Sequence, residues 1–223
     1  MEEDIIEQGV VFTDLSIAMR SHEALVKKYF MTLGSQQENR LAAIHACLTS
    51  GGVFLYVPRN TEVKVPLHSL FWVTGKETSI LPHILVIAEE NSRVDFVTGF
   101  VGQDEAALNN SMFEVFVGNN AYVRITTVNH FGASTVDTTY RKSVVGHGGQ
   151  LHWICCDLNE GHAISSNTFD LTGEGAELSI KSVALSVTDL RSNATSEVHH
   201  CGKNSTIDIQ AHSVMKEDAT NII

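Results

Sequence analysis

An apolar-polar-apolar triplet recurs six times in this sequence of 223 residues, each time directly after a polar turn. Subtracting first positions gives spacings of 31, 29, 28, 27 and 29 residues. A pattern of period two within each unit indicates strands, which excludes the helical repeat architectures of similar length. The triplets occupy residues 63–65, 94–96, 123–125, 151–153, 178–180 and 207–209.

Each repeat reads as a strand, a tight turn and a second strand, followed by a return. The turns are rich in Gly and Asn, which tolerate the left-handed backbone conformation that sharp reversals need. Hairpins in an antiparallel sandwich or stacked parallel coils could both carry such units. Because all six triplets keep the same inward and outward parity, we favour stacked coils, in which inward residues form ladders. The repeat therefore predicts a mainly β fold, a parallel β-helix (β-solenoid) of about six coils.

The first fifty residues follow a different, helical pattern. Asp14 is predicted to cap a short helix through Met19, and Ser21 to open a second. Residues 35–38 (Ser, Gln, Gln, Glu) form a capping box ahead of Leu41. We therefore expect residues 1–50 to form a short helical segment that caps the solenoid and residues 51–223 to form its core. Because the chain stops on two isoleucines, a partner or a longer chain is expected to cover that end.

The composition of the chain limits which ligands, location and cysteine chemistry are expected. The formal charge is −11, from 15 basic and 26 acidic residues, and it disfavours nucleic acids and anionic membrane surfaces as partners. No apolar run is long enough to span a membrane, and the acidic N-terminus does not suit a signal peptide. The cytoplasm is therefore the expected location. The four cysteines form no C-x-x-C pair, so we expect free thiols.

No hydrolase, nucleotide-binding or zinc-protease motif is present, and no catalytic residue is predicted. One alternative is a carbohydrate-active β-helix enzyme, which would stack paired carboxylates along one face. Asp95 and Asp208 occupy equivalent repeat positions, but Arg124, His152 and Ser179 stand between them. A purely structural, protein-binding solenoid is the other alternative.

Two short motifs could bind a metal. Neighbouring residues on a strand point to opposite faces, so Cys155 should face inward and Cys156 outward, and the two cannot chelate one ion together. His200 and Cys201 stand at the end of a strand, where an imidazole and a thiol could meet iron or zinc at a subunit junction. These four residues are the metal candidates, with ordinary packing as the alternative. The basic pair at residues 141–142 is expected on a solvated face.

Six segments, in order and spread over nearly the whole chain, resemble the core of the SufB/SufD proteins of iron–sulfur cluster assembly. The sequences of these segments resemble the SufD branch of the family more than the SufB branch. The segments are residues 10–15 (VVFTDL), 25–30 (LVKKYF), 51–58 (GGVFLYVP), 171–176 (LTGEGA), 198–205 (VHHCGKNS) and 212–218 (HSVMKED).

This resemblance implies a right-handed parallel β-helix that acts in a complex with a SufB-like subunit and an ABC-type ATPase, without catalysis of its own. It implies a homo- or heterodimer, no stably bound cofactor, and contact with an iron–sulfur cluster only transiently in the full complex. Two departures qualify it. SufB-type chains carry a sulfur-accepting cysteine where this chain has Phe100. The family's ATPase-binding helices would lie beyond Ile223.

Overall fold

The fold of the chain was determined as a computed structural model, which describes residues 3–49, 51–102, 108–187 and 189–222. Four short helices lie near the N-terminus: α1 (Glu3–Glu7), α2 (Leu15–Ser21), α3 (Glu23–Tyr29) and α4 (Arg40–Leu48). The strands form two sheets. Sheet A contains β1 (Val11–Asp14), β2 (Gly52–Val57), β4 (Ser79–Ile80), β5 (His83–Ala88), β7 (Leu108–Val117), β9 (Val136–Val145), β11 (Ala163–Leu171), β13 (Arg191–His200) and β15 (Thr220–Ile222). Sheet B contains β3 (Leu67–Val73), β6 (Arg93–Gly102), β8 (Tyr122–Phe131), β10 (Gln150–Asp157), β12 (Glu177–Ser186) and β14 (Thr206–Met215).

The two sheets are the opposite walls of a parallel β-solenoid of about six coils, as the repeat predicts. From β5 and β6 onward, successive strands of one sheet are two apart in sequence, because the chain crosses to the other sheet between them. The first residues of the triplets stack in one ladder: Val94 pairs with Val123, Val123 with Leu151, Leu151 with Leu178, and Leu178 with Ile207. The bridge between Glu62 and Arg93 extends this register to the first triplet.

The turn between the sheets repeats as faithfully as the strands. In every coil the residue three positions before the triplet has a left-handed backbone, with φ between 53° and 67°. Only Asn and Gly occupy it, because the missing Cβ of Gly and the short amide of Asn tolerate this conformation. The six residues are Asn60, Asn91, Asn120, Gly148, Gly175 and Asn204.

Aromatic side chains fill the middle of the solenoid interior, which we call the lumen. Phe71 stacks on Phe100 with ring centroids 5.0 Å apart, and Phe100 meets the edge of Phe113 at 6.1 Å. Trp153 continues the row, 5.4 Å from Phe113 and 6.0 Å from Phe169. Edge-to-face packing of this kind stabilises a core beyond the burial of area alone.

The N-terminal segment, residues 3–49, lies against the outer face of sheet A. Leu15 and Val26 pack with Phe54, Leu85 and Ile87, which point outward from β2 and β5. The segment also contributes a strand that the helical pattern did not predict. β1 pairs antiparallel with β2 and extends sheet A at its first edge.

The structure confirms one predicted helix cap and corrects another. Asp14 caps α2, and its Oδ1 accepts a hydrogen bond of 2.7 Å from the backbone N–H of Ser16. Ser21 does not open α3. It is the last residue of α2, where its hydroxyl donates to the carbonyl oxygen of Ile17, and His22 takes the capping position instead.

The predicted capping box at residues 35–38 is also wrong. Asn39 caps α4, with its side-chain oxygen accepting from the N–H of Ala42 at 3.0 Å. Ser35 closes only a local turn, accepting from the N–H of Gln37. Glu38 does not take part in a cap, because its carboxylate pairs with the ammonium group of Lys142 on β9.

The same ion pair corrects a third prediction: the basic pair at residues 141–142 is buried, not solvated. Arg141 is 4% exposed and Lys142 is 6% exposed. Because they are neighbours on a strand, Arg141 points into the lumen, whereas Lys142 points outward and is covered by the N-terminal segment. Lys142 Nζ also donates to the Thr168 hydroxyl at 3.1 Å.

Glu114 on β7 is the main anchor of the N-terminal segment. Its carboxylate, fully buried, accepts backbone N–H bonds from Met31 at 2.5 Å, Leu33 at 2.6 Å and Gly34 at 2.9 Å. His83 Nε2 lies 3.0 Å from the same carboxylate. Burial opposes the charged form, but the contact with His83 and the N–H groups outweighs it and lowers the pKa of Glu114.

A second buried histidine completes this network. His45 Nδ1 lies 2.9 Å from the carbonyl oxygen of Asn110, and its Nε2 lies 3.2 Å from His83 Nδ1. Because a carbonyl oxygen only accepts, His45 carries its proton on Nδ1, and His83 supplies the proton between the rings. Burial lowers the pKa of His45 to about 4, against the opposing hydrogen bond to Asn110.

The fold should therefore lose stability in mild acid. An unfolded histidine titrates near pH ~6.5, so between that pH and about 4 the unfolded chain binds the His45 proton more tightly. We expect the free energy of unfolding to fall by up to about 3 kcal/mol as the pH drops through this window. Urea titrations at several pH values test this, with His45→Gln as the comparison. Equal slopes for the variant and the native chain would contradict the assignment.

Candidate functional site

The side chains that line the lumen change from aromatic to polar along its length, and the polar part is the candidate site. The ladder that passes through Val53, Ile84 and Phe113 continues through Arg141, Asn167 and Ser196. The facing ladder passes from Phe100 to Asn129 and Asp157. Aromatic rings thus give way to polar groups, which we call the polar compartment.

A cavity of about 100 Å³ lies in the polar compartment. Its wall includes charged, thiol and amide side chains from both sheets and from the loop after β10. A space of this size and polarity suits ordered water or a small polar guest. The charged and thiol members of the wall, with two of its amides, are Asp137, Arg141, Cys155, Asp157, Asn159 and Asn167.

Arg141 is the only basic side chain among the residues that line this cavity. Its Nη1 donates to Asn167 at 3.2 Å, and its guanidinium lies 5.9 Å from the centre of the Trp153 ring. Its Nε is buried without a hydrogen-bond partner. An unpartnered buried donor is costly, so this N–H is available to a guest or a water molecule in the cavity.

Asp137 lies four residues before Arg141 on β9 and contributes a carboxylate to the cavity wall. One oxygen accepts from Asn109 at 2.7 Å and from the Thr139 hydroxyl at 3.2 Å, and the other accepts from Asn159 at 2.8 Å. Burial raises the pKa of Asp137, although the Asn109 hydrogen bond opposes the shift. These contacts tie β7, β9 and the loop after β10 together, which is a structural role for the carboxylate.

Cys155 faces the polar compartment and Cys156 the outside, as strand parity predicts. Cys155 is 7% exposed and Cys156 is half-buried on the outer face of sheet B. Burial raises the pKa of Cys155, although the charge of Arg141 opposes it. Because the thiolate is the nucleophile and the metal ligand, Cys155 is held in its less reactive form at neutral pH.

The structure places the other two candidates far along the chain, at the end of β13. His200 is exposed, and its Nδ1 lies 2.8 Å from the Ser205 hydroxyl. Cys201 is also exposed, and its backbone N–H donates to the carbonyl oxygen of Leu171. Within the described residues, no group of three or more His, Cys, Asp or Glu side chains is arranged to hold a metal ion.

Sequence reasoning missed the ion pairs of the neighbouring histidine. His199 Nδ1 lies 2.6 Å from Asp170, and its Nε2 lies 2.9 Å from Glu197. Hydrogen bonds to Glu197 and then Asp170 raise the pKa of His199. Asp170 and His199 are paired residues on the neighbouring strands β11 and β13. Aligning the repeats in register would therefore have predicted their contact, although they lie far apart in sequence.

Thiol accessibility gives a direct test of this arrangement. All four cysteines are free, with Cys47 and Cys201 exposed. In the folded chain we expect Cys155 to react with iodoacetamide at least about tenfold more slowly than Cys201, because it is buried and protonated. Unfolding in urea should remove the difference. Mass spectrometry of the alkylated peptides measures it, and equal native rates would contradict the inward placement.

The structure also bears on the alternative chemistries. Asp95, Arg124, His152, Ser179 and Asp208 form one continuous row across sheet B. Arg124 is ion-paired with Asp95, so the stacked carboxylates that a glycosidase groove needs do not occur in this row. Phe100, at the position where SufB-type chains carry cysteine, is 1% exposed and part of the aromatic packing.

No helix in the described part of the chain is both long and apolar enough to cross a membrane.

Comparison with known proteins gives one consistent family. The profile described as SUF system FeS cluster assembly, SufBD core domain, matches residues 71–223, and the profile described as SufBD protein N-terminal region matches residues 1–68. The chain is 34% identical over 228 residues to the iron-sulfur cluster assembly protein SufD of Bacillus subtilis, covering 100% of this chain and 52% of that protein.

Staphylococcal relatives give the same result. An iron-sulfur cluster assembly SufBD family protein of Staphylococcus saprophyticus is 27% identical over 219 residues, covering 97% of this chain and 47% of the relative. One from Staphylococcus aureus strain USA300 is 28% identical over 218 residues, with the same coverage. The chain therefore spans about half the length of the curated relatives it matches.

Proposed function

The chain belongs to the SufB/SufD family of iron–sulfur cluster assembly proteins, and on that premise we propose that it is a SufD-like scaffold subunit. In this proposal it pairs with a SufB-type subunit and works with an ABC-type ATPase in the cytoplasm. The observation that carries the proposal is the match of both family regions, in order, on a parallel register of about six coils.

We propose a scaffold rather than an enzyme because the candidate groups are not activated for turnover. Cys155 is buried with a raised pKa, and the Asp137 carboxylate accepts three hydrogen bonds from neighbouring side chains. A general acid or nucleophile needs access to substrate and a pKa suited to its task. Phe100 supplies no sulfur-accepting thiol.

Iron and sulfur enter this proposal as cargo. The cluster is contacted transiently in the full complex and is not held stably by these residues. His200 and Cys201 remain the proposed contacts at a subunit junction, because both are exposed at the end of β13. We place ATPase docking beyond Ile223, a residue outside the described part of the chain.

An anaerobic pull-down tests the proposal. The protein encoded by the intact gene and the 223-residue chain are each tagged and purified from the native cells, with bound proteins identified by mass spectrometry. We expect the gene product to retain a SufB-like subunit and an ABC-type ATPase, and the eluate to show iron–sulfur absorbance. The 223-residue chain should lose the ATPase. A folded gene product that recovers neither partner would overturn the proposed pairing.

A further inference from the structure

The outer face of sheet B carries an apolar stripe that runs along the solenoid. Side chains at alternate positions point outward, and the parallel register aligns them in rows that cross the strands. Two adjacent rows contain no charged residue, and His130 and His212 are their polar members. The apolar stripe consists of the other members: Leu70, Gly99, Val128, Cys156 and Val183 in one row, and Trp72, Val101, Leu185 and Val214 in the next. The second row has no paired member on β10, because the pairing of that strand ends at Asp157.

The large members of the apolar stripe are exposed. Trp72 is 64% exposed, Val214 61%, Leu70 60%, Val183 49% and Leu185 42%. Scattered apolar residues are normal on a protein surface, but an aligned set this large marks an interaction site. An exposed tryptophan on an edge strand is especially informative, because tryptophan is enriched among residues that dominate binding energy.

Sheet A shows what covers such a face elsewhere in the molecule. The outward residues Phe54, Leu85 and Ile87 of sheet A are buried, because α2 and α3 lie over them. Over the apolar stripe of sheet B, no helix of the described residues plays that part. The outer faces of both sheets carry aligned apolar side chains, but within the described residues only the face of sheet A is covered by helices.

The dimensions of the apolar stripe fit one helix. It crosses six strands, and five spacings of ~4.8 Å give a length of about 24 Å. Its two rows lie two residues apart, about 7 Å, which matches the width of the apolar face of one helix. At ~1.5 Å per residue, a helix of about 16 residues would cover the stripe.

Charge indicates the character of the helix. The loops that continue past the stripe hold exposed carboxylates at Glu77, Glu160, Asp189 and Glu217. Two exposed lysines, Lys76 and Lys216, lie in the same loops and are outnumbered by these carboxylates, and Lys216 is 3.4 Å from Glu217. The chain as a whole has a formal charge of −11. An acidic rim beside an apolar stripe favours a partner with basic residues along one flank.

We propose that the apolar stripe is a docking site for an amphipathic α-helix of a partner protein, with basic residues on the flank that faces the acidic loops. The proposal stands on the geometry of sheet B and does not depend on the function proposed above. A second copy of this chain, or another segment of the same protein, is a competing occupant that the experiments must distinguish.

The first experiment measures binding of a defined probe to the 223-residue chain. The probe is a fluorescein-labelled 18-residue peptide of leucine and lysine, patterned as an amphipathic helix, and fluorescence anisotropy reports its Kd. We expect the double variant Leu70→Ser, Trp72→Ala to weaken binding at least about tenfold. Ile164→Ser is the matched control, because Ile164 is 49% exposed on sheet A, and it should leave the Kd unchanged.

A scrambled peptide of the same composition separates docking from simple charge attraction. It keeps the charge but spreads the leucines around the helix, so it should bind at least about tenfold more weakly. Equal affinity for the two peptides, or equal binding by the double variant and the native chain, would overturn the proposal. Circular dichroism of each variant verifies that the solenoid is intact.

The second experiment identifies the natural occupant. A photo-crosslinking amino acid replaces Val183 in the protein made from its intact gene in the native cells, and mass spectrometry maps the crosslinked segment. We expect a segment of another protein that reads as a basic amphipathic helix. Crosslinks to a second copy, to another part of the same protein or to an extended strand would overturn the proposal, and so would the absence of any crosslink.

Discussion

Replacing Glu114 by alanine should lower the free energy of unfolding by about 3–5 kcal/mol, because it leaves several buried hydrogen-bond donors without their acceptor. The substitution leaves His83 without its carboxylate and three backbone N–H groups of residues 31–34 without an acceptor. Each unsatisfied buried donor adds to the cost. We also expect residues 31–48 to separate from β7, since Glu114 is their main anchor.

Urea unfolding measures the loss, and hydrogen exchange locates it. Glu90→Gln is the matched control, because Glu90 pairs with Arg59 at the surface and an exposed pair contributes only about 0–1 kcal/mol. Exchange should increase over residues 31–48 in Glu114→Ala and remain at the native level in the control. A loss below about 1 kcal/mol for Glu114→Ala would show that the carboxylate does not anchor the N-terminal segment.

Trp153→Ala is the second large effect, with an expected loss of about 3–5 kcal/mol. Trp153 is 1% exposed and lies between Phe113 and Phe169 at the boundary of the polar compartment. Its indole N–H has no hydrogen-bond partner, so packing rather than hydrogen bonding accounts for the effect. Truncation leaves a cavity that parallel strands cannot close, because their ladders fix the width of the lumen.

The second tryptophan provides the control. Trp72 is 64% exposed, so Trp72→Ala should change the free energy of unfolding by no more than about 0.5 kcal/mol. Each variant keeps one tryptophan, and the fluorescence of the buried ring should be shifted to the blue of the exposed one. Similar losses for both variants would contradict the packing described here.

The solenoid could be predicted from the sequence because its two signals are local. The alternating triplets need only a period of two, and the turns need only a residue that accepts a left-handed backbone. Both recur at fixed offsets, so Asn120 and Gly148, chemically unlike, still mark the same corner of successive coils. Repetition turned weak local preferences into a register that the structure reproduces.

The contacts of the N-terminal segment could not be predicted in this way. Glu114 and Lys142 lie on outward positions of strands, where charged residues are usually solvated. They are buried only because residues 31–42 fold over them from about 80 to 100 positions away. One of these long-range contacts, the ion pair of Glu38 with Lys142, also explains why Glu38 does not form the predicted capping box.

The sequence predicts which way the cysteines of the candidate site point, but not which residues surround them. Strand parity gives the opposite orientations of Cys155 and Cys156 from the sequence alone. The polar compartment around Cys155 depends on Asp137 and Arg141 of β9 and on Asn159 in the loop after β10. Only the register brings these residues together.

The central claim, that the chain serves iron–sulfur cluster assembly, is tested most directly in cells that lack its gene. The measurement is the specific activity of a dehydratase that requires a [4Fe–4S] cluster, with the amount of its polypeptide determined in parallel. We predict that activity falls while the polypeptide persists, and that the native gene restores activity but the Glu114→Ala variant does not. Unchanged dehydratase activity in the deleted strain, with no second SufD-like gene present, would contradict the account.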